Sequence, residues 1–165
     1  MATVRGYEPR DLEACRGLWV ELTQWHRDIF DSPEIGGEDP GRAFDEHLGK
    51  VGGENIWVAE VDGRAVGLAG LIPDVFELEP IIVAGQHRGQ GIGRLLAEAV
   101  ISAAREGGAR TIQVRPVARN VEGVRFFHDL GFDVLDQVQL SMDLVDRERD
   151  PWIPGERLAD RDFRF

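Results

Sequence analysis

The chain has 165 residues, enough for one domain, with 42% apolar residues and a net charge of −11 at pH 7. That acidity excludes a general nucleic-acid binder, which needs a basic face, and suits a cationic partner. A lone cysteine, Cys15, excludes an internal disulfide, and without a leader or a long apolar run the expectation is a cytoplasmic protein with no membrane partner.

In chain order, Val4 to Tyr7 reads as a short strand. Pro9 and Asp11 open a helix with Leu12, Cys15, Leu18, Trp19 and Leu22 at helical spacing. Pro33, Gly36, Gly37 and Pro40 make 31–41 a loop, and Ala43 to Val51 is a second, shorter helix. "NIWVAEV" and "AVGLAGLI" flank Asp62-Gly63, a hairpin signal. Val75 to Val83 is a further strand, followed by a glycine-rich turn and a helix from Gly93 to Glu106, which Gly107-Gly108 ends. "TIQVRPV" is the next strand, and Asn120 caps a helix that stops before Gly131. "FDVL" and "VQLSMDL" are expected to close the sheet as two more strands. Residues 146–165, with Pro151, Trp152 and Pro154, read as a surface tail. No repeat or composition break divides the chain, so the expected architecture is a single α/β domain over 1–165. Its sheet is mixed, with parallel pairing near the glycine turn.

That turn, "QHRGQGIGRLL", lies where a strand gives way to a helix, and glycines there let backbone N–H groups face an anion. A Walker A loop is excluded, because Gly93 is followed by Arg94 and Leu95 rather than Lys and Ser or Thr. A dinucleotide fingerprint lacks its acidic residue, since 109–121 holds no Asp or Glu. The pattern R-x-x-G-x-G remains, met by Arg88, Gly91 and Gly93. About 30 residues on, Asn120, Gly123, Phe126, Phe127, Gly131 and Phe132 match N-x-x-[AG]-x-x-F-[YF]-x-x-x-G-F.

On these two segments the chain resembles the GCN5-related N-acetyltransferase superfamily over residues 3–145. The resemblance implies an acyl-CoA N-acyltransferase sandwich, a mostly antiparallel sheet flanked by helices, with acetyl-CoA as co-substrate. It implies a pantetheine arm along Ile81, Ile82 and Val83, paired like an added strand. The pyrophosphate would sit at Arg88, Gly89, Gln90, Gly91, Ile92, Gly93 and Arg94. Asn120 matches the position that approaches the pantetheine arm. Phe127 stands where many relatives carry the tyrosine that protonates the departing thiolate, so the general acid is left open.

The charge layout agrees independently of the resemblance. Arg88, Arg94, Arg105, Arg110, Arg115, Arg119 and Arg125 cluster with only Glu98, Glu106 and Glu122 among them, whereas 27–46 is dominated by acids. Solvated helix faces are the competing account of both clusters.

Acetyl transfer to an alkylammonium, of pKa about 10, needs a base. Glu77 and Glu79 are two apart on a strand and so are expected on one face. Glu79 lies nearer the presumed thioester and is the first choice of base, acting through water, with Glu77 second. The competing reading is a merely exposed pair. Cys15 sits in an apolar stripe, which disfavours a covalent acetyl-cysteine route and favours direct transfer in a ternary complex. No metal site is read from the sequence. The segment from Trp19 to Asp45, with Trp25, His26, Phe30 and its acids, is expected to shape a site for a small-molecule or peptide amine. An acetyl-CoA-binding sensor without turnover is the alternative, favoured by Phe127 and opposed by the glutamates. A homodimer stays open, with the tail ending "DFRF" as a candidate cover.

Overall fold

The computed structural model describes residues 1–144 and 152–165. It divides into two compact units, Met1–Val114 and Arg115–Phe165.

In the first unit, β1 (Thr3–Gly6), β2 (Ile56–Val61), β3 (Arg64–Ile72) and β4 (Glu77–Val83) form an antiparallel sheet in the order β1-β2-β3-β4. The hairpin between β2 and β3 turns at Asp62 and Gly63, with φ of 50° and 75°, the left-handed pair that a tight two-residue loop demands. Three helices cover the sheet: α1 (Leu12–Phe30), α2 (Arg42–Val51) and α3 (Ile92–Glu106). Two glycines of β3 show which helix lies on which face. A Cβ on Gly67 would stand 3.1 Å from Leu96 of α3, whereas one on Gly70 would stand 3.1 Å from the His47 ring of α2. Positions three apart in a strand face opposite sides, so α2 and α3 lie on opposite faces. On the α2 side Cys15, Leu18, Phe44, Val51, Ile56, Val58, Leu68 and Ile82 form one buried cluster. Ile92, Leu96, Ala97, Val100 and Ala104 are the buried stripe of α3.

β4 departs from regularity at its middle. Ala69 pairs with Ile81 and Leu71 with Leu78, so two steps on β3 oppose three on β4, and Glu79-Pro80 is a cis peptide inside that bulge. Past the bulge, Gln113 pairs in parallel with Glu77 through Leu78 N–H to Gln113 C=O and Gln113 N–H to Phe76 C=O, each 3.0 Å. The parallel pairing expected near the glycine turn is therefore present, but the strand expected over 111–117 is reduced to this one bridge. The next N–H that β4 could donate to such a strand would be that of Pro80, which has none.

In the second unit, α4 (Val121–Asp129) begins at Asn120, whose side chain accepts from Gly123 N–H at 2.8 Å, the cap expected of it. The strands expected over 132–135 and 138–144 do not form among the described residues: 132–144 join no ladder there, and Val134, Leu140, Met142 and Leu144 are exposed. Alternating apolar residues state which surface a segment would suit; a strand also needs a partner whose N–H and C=O groups match it. The tail is more ordered than expected. β5 (Pro154–Leu158) and β6 (Arg161–Arg164) form a hairpin closed by mutual backbone bonds between Ile153 and Phe165. The part of the expected tail from 146 to 151 lies outside the described residues.

Candidate active site

β4 leads through a short 3₁₀ turn, Gly85–His87, into the glycine turn and then α3. Gly89 and Gly91 take φ of 73° and 81°, values only glycine adopts freely, so the chain turns sharply here. Nothing lies within 4 Å of where a Cβ on either would stand. The first helical bond runs from Leu95 N–H to Gly91 C=O, so the amides of Ile92 and Gly93 precede the ladder and carry the positive end of the helix dipole. Arg88 joins the turn to the strand, its Nε donating to Val83 C=O at 3.0 Å. Arg88, Gly89, Gln90, Gly91 and Arg94 are exposed, Gly93 is half-buried, and Ile92 is buried as the helix's first core contact. The turn is open and lies at the positive end of a helix next to a strand end, which favours an anion.

The strand end suits an extended amide-bearing chain. Among the described residues β4 is an edge of its sheet, and its outer side at Ile81, Ile82 and Val83 carries no neighbouring strand. Ile82 is buried, and Ile81 and Val83 are half-buried. Glu21 of α1 accepts from Gly85 N–H at 3.0 Å and ties that helix to the loop leaving the strand.

Glu77 and Glu79 do not form the paired site expected of them. Glu77 is 1% exposed, opposite Ile72, whereas Glu79 is exposed within the bulge. The extra residue breaks the two-residue alternation on which their pairing rested. Of the two, Glu79 alone is open to solvent.

The aromatic part of α1 stands as a cluster: Trp25 meets His26 edge-on at 5.1 Å, and His26 stacks on Phe30 at 6.4 Å. Burial pushes the His26 pKa below its ordinary value. Arg27 ties the following acidic loop through Ile35 C=O at 2.8 Å and Gly37 C=O at 2.7 Å. Asp45, an acid expected to favour a cation there, is already bound by Arg16 at 2.6 Å.

His47 is the side chain that sequence reasoning missed. It is 8% exposed, packs 5.2 Å from the Trp19 ring, and among the described residues its Nε2 has no hydrogen-bond partner. Burial, with Lys50 nearby, pushes its pKa down and keeps the ring neutral. Its spacing from Phe44 and Val51, on the buried side of α2, was the available signal.

In the second unit, Phe127 is buried against Phe126 at 5.1 Å and Phe132 at 5.7 Å, while His128 is exposed. Cys15 is fully buried, and burial pushes its thiol up to about 12, which agrees with a core residue. Among the described residues no helix is long and apolar enough to cross a membrane.

A family model described as the acetyltransferase (GNAT) family matches residues 19–132. N-acetyltransferase 8B of Rattus norvegicus is 30% identical over 98 residues, covering 54% of this chain and 44% of its own length. The chain spans about half the length of the curated relatives it matches. Among solved structures, a GNAT-family acetyltransferase from Staphylococcus aureus Mu50 superposes with a TM-score of 0.68 at 17% identity, covering 90% of this chain and 95% of its own. AAC(6')-Iy, in complex with the bisubstrate analog CoA-S-monomethyl-acetylneamine, gives 0.62 at 20% identity, covering 88% and 99%.

Proposed function

The chain belongs to the GNAT acetyltransferase family, and from this we propose that it moves the acetyl group of acetyl-CoA to a primary amine of a cationic acceptor, directly, in a ternary complex. The observation that carries the reading is the turn at Gly89 and Gly91: left-handed, clear of side chains, and opening α3 beside an unpaired strand edge. The amides from Gly89 to Arg94 would receive the pyrophosphate, with Arg88 adding charge, and the backbone of Ile81 to Val83 would pair with the pantetheine arm. The whole chain, 1–165, is read as one transferase domain.

Bound acetyl-CoA supplies an activated acetyl thioester. Glu79, exposed in the bulge, takes the ammonium proton through a water, leaving a neutral amine to attack. A backbone N–H near Ile82 or Val83 would stabilise the oxyanion. Phe127 offers no proton, so the departing thiolate is protonated by water. Trp25, Phe30 and the acids following them bind the acceptor's charge and apolar body. A related solved structure carries a CoA analog bearing an acetylneamine moiety, which supports an amine acceptor of this class.

The test is CoA release with a panel of amines, beside a melting-temperature shift with acetyl-CoA. Turnover of at least one cationic amine and stabilisation by acetyl-CoA, not by NAD or ATP, are expected. Stabilisation without turnover on any amine would favour a sensor, the reading that a buried Phe127 at the acid position supports.

A further inference from the structure

We propose that His47 is a positioning residue for acetyl transfer: in the acetyl-CoA-loaded protein its Nε2 donates to the Glu79 carbonyl and so fixes the bulge that carries the base. The idea rests on the acetyl-transfer reading above.

Three observations converge on it. First, Nε2 has no partner among the described residues, although the ring is more than nine-tenths buried between α1, α2 and the sheet. An orphaned buried donor or acceptor lowers stability, and an apolar side chain of similar volume would avoid that loss. A position that keeps the polar ring at such a cost is a candidate for function. Second, Nε2 lies close to the Glu79 carbonyl. A Cβ on Gly70 would stand 3.1 Å from Nε2 and 2.5 Å from the Glu79 carbonyl oxygen, so both atoms converge on one spot of β3 that a larger residue would fill. Third, the bulge is short of anchors. Pro80 has no N–H to donate, and two steps of β3 oppose three of β4 there. A donor from α2 is suited to hold the Glu79 peptide, and rotation of that peptide swings the Glu79 carboxylate.

The Trp19 ring at 5.2 Å fixes the imidazole plane from α1, the helix that also reaches Gly85 through Glu21. Occupancy of the strand end is therefore transmitted to His47 from two sides, through β4 and through α1. His47 touches neither the thioester nor the amine; its effect passes through the Glu79 backbone.

Imidazole ¹⁵N spectra of the wild type, with the His47 signal assigned by its loss in His47→Leu, test the hydrogen bond directly. Nε2 is expected to shift on saturation with acetyl-CoA; a resonance that stays in place overturns the proposal. The variant supplies the second readout. His47→Leu is expected to melt no lower than wild type without ligand and to bind acetyl-CoA more weakly, because a bond formed only on loading adds to affinity. Its kcat should fall about tenfold or more on any amine the wild type acetylates, with partial recovery in His47→Gln. Undiminished kcat, or a loss that follows a lowered melting temperature, overturns it. If the wild type acetylates no amine, the acetyl-transfer reading fails, and the ¹⁵N spectrum decides His47 by itself.

Discussion

Arg88 reaches back five residues to donate from Nε to the Val83 carbonyl at 3.0 Å, so the cation of the glycine turn is held by the strand it follows. The contact anchors an exposed guanidinium beside the turn, and among the described residues it forms no ion pair with a carboxylate. Such a group pairs with phosphate oxygens at little reorganisation cost.

Arg88→Ala should therefore raise the Kd for acetyl-CoA about tenfold, the weight of one charge-assisted hydrogen bond. The ligand-free variant should melt within about 2 °C of wild type, because the side chain is exposed. Isothermal titration with acetyl-CoA, beside a melting curve without it, reads both numbers.

Gly91→Val should abolish acetyl-CoA binding and also destabilise the fold by about 1–3 kcal/mol. The space around Gly91 is open, so the fold penalty comes from its φ of 81°, which a β-branched residue adopts only under strain. Gly91→Asn tolerates that backbone better and should recover most of the stability while still hindering approach of an anion. Comparing chemical denaturation with the acetyl-CoA-induced melting shift separates the two effects.

Glu79→Gln should lower kcat about 10²–10⁴-fold at neutral pH with little change in acetyl-CoA affinity. The deficit should shrink as pH rises toward the amine's own pKa, where free amine needs no base. Glu77→Gln should behave differently, costing fold stability more than kcat, because Glu77 is buried and Glu79 is exposed. A pH–rate profile of both variants with one common acceptor checks the assignment; parallel profiles for Glu79→Gln and wild type would remove Glu79 as base.

Cys15 gives a pH dependence at the alkaline end. Burial raises its thiol from the ordinary 9.0 to about 12, so the unfolded chain gives up this proton first as pH rises. The contribution is fully present below pH 9 and is lost progressively toward pH 12. Tyr7, also raised by burial, adds in the same direction. Urea midpoints measured between pH 8 and 11 should fall less steeply for Cys15→Ala than for wild type. The native thiol should also resist alkylation at neutral pH.

What was legible in the sequence is what local chemistry determines. Asp62-Gly63 announces its turn, Asn120 its cap, and the glycines between Arg88 and Arg94 their left-handed corner, because each depends on a few neighbouring residues. The bulge was not legible. Pro80 hinted at an interrupted ladder, but the mismatch of two steps against three belongs to the pairing of β3 with β4 and is written in neither strand alone. That mismatch separates Glu77 from Glu79. His47 was overlooked for a related reason: a histidine on the buried stripe of a helix reads as core until the strand opposite shows what its ring faces. Residues 138–144 alternate as a strand should and yet pair with no strand among the described residues, since alternation names a surface and not a partner.

An edge strand kept open for a ligand is also a template on which another polypeptide can add itself, the first step of aggregation. In β4 that exposure is confined to Ile81 to Val83: Pro80 removes a donor on one side, and Arg88 occupies the Val83 carbonyl on the other. Three residues of bare backbone are long enough for a pair of amide groups and too short to seat a foreign strand. Replacing Pro80 and Arg88 together would lengthen the open edge, and the cost would appear as loss of soluble protein on storage, before any measurable change in the fold.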